Sequence, residues 1–151
     1  MNDFFQCSLA TGLRVVFSVC CLWLVACSEP TPEPVAPAAV EWAAESDSGL
    51  YRLVIKPEAG ATPIGAFHEW RVTVTDMQGA GVFPATIALT GGMPAHGHGL
   101  PTQPQVTDHL GDGQYRIEGM RFNMAGAWVL DFVVVGPAGR DSASFDLELA
   151  F

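Results

Sequence analysis

The last part of the chain alternates apolar and polar residues with a period of two. One parity carries Ala143, Phe145, Leu147, Leu149 and Phe151, and the other carries Ser142, Ser144, Asp146 and Glu148. Because successive side chains of a β-strand point to opposite faces, this pattern predicts an antiparallel strand with one buried face. Residues 128–134 repeat the pattern, with Trp128, Leu130, Phe132 and Val134 on the apolar parity. The chain therefore ends in sheet structure with a single apolar face.

Shorter stretches upstream show similar strand-like patterning. They are residues 51–56, 71–75, 83–90 and 114–119, separated by Gly-rich turn signals at 77–81, 111–113 and 136–139. About seven short strands without a convincing helix predict an all-β fold, an immunoglobulin-like antiparallel β-sandwich. Gly113-Gln-Tyr115 also resembles a tyrosine corner, in which a tyrosine hydroxyl ties a sheet-crossing loop to the backbone.

The N-terminal segment has the features of an export signal. Residues 15–26 form an apolar run preceded by Arg14, and this run is too short to span a bilayer. Leu24-Val25-Ala26-Cys27 resembles the lipobox of bacterial lipoproteins, in which the cysteine is lipidated and becomes the new N-terminus. We expect residues 1–26 to be a lipoprotein signal peptide and Cys27 to carry the lipid anchor. The alternative is an ordinary secretory peptide cleaved after Ala26.

The segment after Cys27 is rich in Pro, Ala, Glu and Ser. We expect residues 27–49 to be a disordered tether, although residues 40–45 could form one helical turn or pack Trp42 on the domain. Residues 50–151 then form the folded domain. The expected location is a membrane surface facing the periplasm, and Ser28 after the cysteine favours the outer membrane where a cell has two membranes.

Composition excludes several classes of function. After removal of the signal, Cys27 is the only cysteine, so neither a disulfide nor a catalytic thiol is available. The net charge of −9 makes nucleic acid an unfavourable partner. The chain also lacks the common hydrolase, zinc-protease and phosphate-loop motifs. We therefore expect a protein that is not an enzyme.

The segment 91–104 concentrates possible metal ligands. His96 and His98 are separated by Gly97, so both imidazoles can leave one face of an extended segment or turn toward one point in a looser loop. Met93 lies three residues earlier, and Pro94 restricts the backbone between them. Two imidazoles and a thioether form a soft set that suits Cu(I), and Cu(II) could also use the nitrogens. The alternative without a metal is a surface loop whose histidines only form hydrogen bonds.

Other possible ligands have stronger structural alternatives. Met120 and Met124 fall on one side of residues 120–124 if that segment is extended, and either could be core filler. His68 shares its parity with Trp70, Val72 and Val74, which favours a buried, hydrogen-bonded histidine over a third imidazole ligand. His109 precedes a turn, and we expect it to be a solvated turn residue.

Several of these motifs together resemble a known family. Met93-Pro-Ala-His-Gly-His-Gly99, Gly113-Gln-Tyr115, Met120-Arg-Phe122 with Met124, and Gly126-Ala-Trp128 are similar to the YtkA-like and FixH-related extracytoplasmic domains. The resemblance covers essentially all of residues 50–151. It implies an immunoglobulin-like fold, an association with copper handling or cytochrome oxidase assembly, and Met93, His96 and His98 as candidate ligands. The chain differs from FixH proper in its lipoprotein-type signal.

Two functional hypotheses follow. The first is a membrane-tethered copper carrier, buffer or metallochaperone that binds Cu(I) through His96, His98 and Met93, with Met120 or Met124 completing the set. Such a protein would pass the ion to a partner by ligand exchange. The second is a non-metal interaction module that docks an envelope partner through the Gly/Pro loop.

Overall fold

Nine β-strands are present in the part of the chain that the computed structural model describes, residues 40–150. They are β1 (Trp42–Glu45), β2 (Arg52–Pro57), β3 (Phe67–Thr75), β4 (Thr86–Met93), β5 (His98–Gly99), β6 (Gln105–Gly111), β7 (Gln114–Arg121), β8 (Gly126–Gly136) and β9 (Gly139–Leu149). One sheet has the order β1-β2-β3-β7-β6 and the other has the order β5-β4-β8-β9. The predicted all-β sandwich is confirmed, with nine strands in place of about seven.

The apolar parities form the core between the sheets. Trp70, Val72 and Val74 of β3 are fully buried, as are Leu130 and Phe132 of β8. The predicted inward positions of β9 are also buried, namely Ala143, Phe145, Leu147 and Leu149. Phe151 lies outside the described residues. Burial of one apolar face of each sheet is the main favourable contribution to folding. No disulfide adds to the stability of the domain, so this burial has to suffice.

A tyrosine ties the connection between β3 and β4 to the rest of the fold. This connection leaves one sheet and enters the other. The buried hydroxyl of Tyr115 donates a hydrogen bond to the Val82 carbonyl at 2.7 Å, and burial raises the pKa of that hydroxyl. Tyr115, which the sequence pattern indicated as a tyrosine corner, therefore fixes this loop. The two bonded residues are 33 positions apart in the chain.

Strand β6 was not predicted from the sequence, and it forms an outer edge of the larger sheet. Its register with β7 is interrupted between Val106 and Asp108 and again between His109 and Gly111. The prediction of His109 as a turn residue was wrong, because it lies within this strand. Its exposed ring stacks on Phe83, with ring centres 4.2 Å apart. The interrupted apolar pattern of β6 explains why the period-two analysis missed it.

The folded region begins earlier than residue 50, so the predicted tether is too long at its C-terminal end. Residues Trp42–Glu45 form β1, which pairs with β2, and the Trp42 ring stacks on Trp70 with centres 5.5 Å apart. The following turn contacts β9, because the Asp47 N–H donates to the Ser142 carbonyl at 2.8 Å. The first segment of the domain therefore closes one side of the sandwich.

Asp141 stabilises this closure. Its carboxylate accepts backbone N–H groups from Ser48 (3.1 Å), Leu50 (3.2 Å) and Ser142 (2.9 Å). The Ser46 hydroxyl and these N–H groups lower the pKa of the Asp141 carboxyl from its ordinary 3.8 to about 2. Hydrogen bonds that favour the charged form are the cause, and they outweigh the opposing effect of desolvation.

The predicted signal peptide, Cys27 and residues 27–39 of the predicted tether lie outside the described residues. Within residues 40–150, no helix is long and apolar enough to cross a membrane.

The position of the domain boundary predicts an effect of truncation. A chain that begins at residue 50 should unfold at least about 5 °C below one that begins at residue 40, because the stacked tryptophan pair alone contributes about 1 kcal/mol. Thermal denaturation followed by circular dichroism measures the difference. Identical midpoints would show that β1 contributes nothing to the fold.

The hydrogen bonds of Asp141 predict how stability depends on pH. The folded-state pKa is depressed, so the stabilisation is present above the ordinary carboxyl pKa of 3.8 and is lost as the pH falls toward about 2. Asp141→Asn should lower the urea concentration at the unfolding midpoint at neutral pH. It should also weaken the dependence of the unfolding free energy on pH in the acid range. Urea denaturation between pH 2 and 7 tests this, with the exposed Asp146→Asn as the matched control.

Candidate metal site

The two candidate histidines lie in a tight reversal between β4 and β5. A single-turn 3₁₀ helix, Pro94–His96, follows Met93, and Gly97 then adopts a left-handed conformation with φ of 66°. Strand β5 returns antiparallel to β4, with Met93 opposite His98 and Gly92 opposite Gly99. A residue with a side chain is disfavoured at the φ of Gly97, so glycine permits this reversal. The looser of the two predicted loop geometries is the one that the structure adopts.

The reversal brings the imidazoles of His96 and His98 together. Their ring centres are 5.8 Å apart, the planes are inclined by 30°, and both residues are exposed. Two imidazoles that share one metal ion need coordinating nitrogens within about 4 Å of each other, because each metal–nitrogen bond is about 2.0 Å long. Rings at this spacing can meet that condition by rotating about their side-chain bonds.

Two glycines form the base beneath the reversal. A Cβ atom on Gly92 would lie 2.5 Å from the His98 carbonyl oxygen, and one on Gly91 would lie 2.5 Å from that of Val129. Both neighbouring strands therefore approach β4 more closely than a side chain would allow. They enclose a shallow cavity of about 260 Å³ whose lining includes Met93, His98 and Asp131. Met93 and His98 are cross-strand partners, so one thioether and one imidazole of the predicted set leave the same face of the smaller sheet.

Met93 is buried beneath the loop and does not lie beside the rings on the surface. Its side chain is 2% exposed, and its methyl carbon would be 3.2 Å from a Cβ atom at Gly126. Gly126 begins β8 directly after the segment that carries Met124. The end of the Met93 side chain therefore lies next to the segment 122–126.

The sequence placed Met120 and Met124 on one side only if residues 120–124 were extended, and this condition is not met. Met120 is fully buried in β7, in register with His68 of β3, whereas Met124 is 37% exposed. The cause is that β7 ends at Arg121, so residues 122–125 form an irregular turn in which strand parity no longer applies. Met124 therefore has solvent access, and Met120 is part of the core.

His68 has hydrogen-bond partners at both ring nitrogens. The Trp70 indole N–H donates to Nδ1 at 3.0 Å, so the ring proton resides on Nε2, which donates to the Pro63 carbonyl at 3.3 Å. Burial lowers the pKa of this imidazole, while the hydrogen bond with Pro63 acts in the opposite direction. A neutral ring with both nitrogens engaged has no lone pair left for a metal.

Trp128 contacts both parts of the candidate site, although its alternating pattern predicted only a core position. It is 1% exposed, and its indole N–H donates to the Met124 carbonyl at 3.1 Å. The His98 ring lies 6.0 Å from it at 66°, and Phe122 packs on it at 5.0 Å and 70°. The Gly126-Ala-Trp128 motif is the sequence feature that sets Trp128 apart from the other inward residues of β8.

No group of three or more His, Cys, Asp or Glu side chains within residues 40–150 is arranged to hold a metal ion. The other candidate donors near His96 and His98 are thioethers. Met93 is the cross-strand partner of His98, and Met124 lies on the turn that Trp128 fixes.

The fold and this loop define a two-sheet antiparallel sandwich with a paired-histidine reversal at one end. A family model described as YtkA-like matches residues 51–132, which is more than half of the chain. The match includes the histidine reversal, Met120 and Met124. The chain belongs to the YtkA-like family. Comparison with curated proteins found no match, and comparison with solved structures found none either.

The glycine base generates a prediction about the loop. Gly92→Ala should displace β5 and separate the two imidazoles, because the added Cβ collides with the His98 backbone. Gly99→Ala is the control, since its Cβ would meet the Gly91 carbonyl oxygen at an ordinary 3.4 Å. Histidine ring signals in proton–carbon NMR spectra should shift in the first variant only. Unchanged His96 and His98 signals in Gly92→Ala would contradict the assigned base.

Proposed function

We propose that this protein is a membrane-tethered, extracytoplasmic copper-binding protein that carries or buffers Cu(I) for a transfer partner. The observation that supports the proposal most directly is the pair of exposed imidazoles, His96 and His98, with ring centres 5.8 Å apart. Met93 is the cross-strand partner of His98, and its buried thioether lies on the same face of the smaller sheet beneath the loop. Nitrogen donors at the surface and a sulfur donor beneath them therefore belong to the same end of the domain.

The donor set favours copper over the other common metals. Imidazole and thioether are neutral and comparatively soft, which suits Cu(I), whereas structural zinc usually takes four ligands with thiolates and calcium takes oxygens. Copper would be the cargo of this protein. His96 and His98 would bind it first, and Met93 or Met124 would supply sulfur.

Exposure of the loop supports transfer to another protein. Both imidazoles are on the surface, so an acceptor can approach the ion and replace the ligands one at a time. The net charge of −9 raises the local concentration of cations around the domain. An exposed pair of imidazoles on an anionic domain fits a binding role without catalysis.

Membership of the YtkA-like family supports an extracytoplasmic domain. The sequence Leu24-Val25-Ala26-Cys27 supports attachment through a lipid on Cys27, and the outer membrane is the favoured surface. Two or more acyl chains anchor a protein stably, because each buried methylene contributes about 0.8 kcal/mol.

Titration with Cu(I) tests the proposal. The exported protein, purified in detergent micelles, should bind one copper equivalent tightly in competition with a Cu(I) chelator. His96→Ala/His98→Ala should reduce that affinity by at least about a hundredfold, because two ligands are lost. His109→Ala, which removes another exposed imidazole, should bind like the wild type. Retention of the copper equivalent in the double variant would eliminate the loop as the site.

The alternative function is a non-metal interaction module, and the surface position of residues 94–99 also suits it. His96→Gln/His98→Gln separates the two functions, since it keeps polar side chains and removes the imidazole nitrogens. A partner captured from envelope extracts should persist with this variant if shape alone matters. Copper binding should be lost if the carrier function is correct.

A further inference from the structure

Trp128 lies against both arms of the proposed site, the Met124 backbone and the His98 ring. We propose that Trp128 is a positioning residue that holds Met124 beside the histidine pair, and that it thereby sets a preference for Cu(I) over Cu(II). This inference rests on the proposed function. Trp128 is itself no ligand, because it is almost fully buried and its one polar atom is a donor already in use.

The first contact fixes the methionine arm. Residues 122–125 form the irregular turn between β7 and β8, and the indole N–H donates to the Met124 carbonyl within it at 3.1 Å. Phe122 packs against the indole from the same turn, with centres 5.0 Å apart. The turn that carries Met124 is thus held at two points, one of them the Met124 carbonyl, while the Met124 side chain remains 37% exposed. A fixed backbone with a free thioether is suited to ligand donation.

The second contact supports the histidine arm. The His98 ring meets the Trp128 ring at 66° with centres 6.0 Å apart, and His96 follows at 5.8 Å from His98. The residue after Trp128, Val129, pairs with Gly92 at the base of the reversal. Strand β8 therefore provides a rigid position from which one side chain reaches the histidine loop and the methionine turn.

The chemistry of the two arms gives the selectivity. Imidazole nitrogens bind both oxidation states of copper, whereas a thioether favours the softer Cu(I). Holding Met124 in place consequently increases affinity for Cu(I) more than affinity for Cu(II). Release of Met124 should remove this advantage without removing the imidazole ligands.

The test is Trp128→Phe in the exported protein, which keeps an aromatic ring and deletes the indole N–H. Trp70→Phe is the matched control, because Trp70 is also fully buried and donates its indole N–H, but to His68. Affinities for Cu(I) and Cu(II) are measured by chelator competition, and sulfur ligands are counted by X-ray absorption of the Cu(I) form. Urea denaturation measures the stability of each variant.

We expect Trp128→Phe to lose about fivefold to tenfold in Cu(I) affinity, the usual effect of one hydrogen bond, with Cu(II) affinity within about twofold. The Cu(I) form should also lose a sulfur ligand. Trp70→Phe should be destabilised while keeping both affinities. Met124→Leu, at an exposed side chain, should reproduce the loss, and combining it with Trp128→Phe should add nothing further.

Different outcomes overturn different statements. Equal losses for Cu(I) and Cu(II), or no loss in either Trp128→Phe or Met124→Leu, overturn the positioning role alone. A wild-type protein that binds no copper overturns the proposed function and this inference with it. Should Trp128→Phe not fold, the Met124→Leu measurement decides, because retained Cu(I) preference in that variant excludes Met124 as the selective ligand.

Discussion

Packing of aromatic side chains across the two sheets is the interaction on which the rest of this structure depends. Trp70 belongs to the larger sheet, Trp128 belongs to the smaller one, and Phe122 lies between them with ring centres 6.0 and 5.0 Å away. All three are buried, and edge-to-face packing adds about 1 kcal/mol per pair beyond the burial of area. In a domain without a disulfide, this cluster joins the layers. Its position also determines where the histidine reversal and the methionine turn can lie.

The candidate site is an extension of that cluster to the surface. The reversal approaches the sheet because Gly91 and Gly92 leave no side chain beneath it, and His98 then reaches the edge of the Trp128 ring. The methionine turn is fixed by the Trp128 indole N–H. Rigid core atoms thus support a loop whose own side chains are solvent-accessible. This combination gives a defined geometry without burying the two histidines.

The long strands could be predicted from sequence because one parity of each of β3, β8 and β9 is mostly apolar. The same rule could not find β1 or β5, since β1 depends on the stacking of Trp42 on Trp70 and β5 has only two residues. The proximity of His96 and His98 follows from the glycine between them. The separation of Met120 from Met124, and the bond from Trp128 to Met124, depend on where β7 ends. Only the assembled sandwich determines that point.

The two irregularities in β6 determine how readily a strand of another molecule could pair with this edge of the sheet. An uninterrupted edge strand presents evenly spaced N–H and C=O groups to which a neighbouring chain can add in register. The breaks at Val106/Asp108 and His109/Gly111 disturb that spacing, and exposed Asp108 places a charge between them. At the opposite border of this sheet, the turn after β1 is bonded to β9 through the Asp47 N–H and the Ser142 carbonyl. The β6 border is therefore a poor template for the addition of a strand from another molecule.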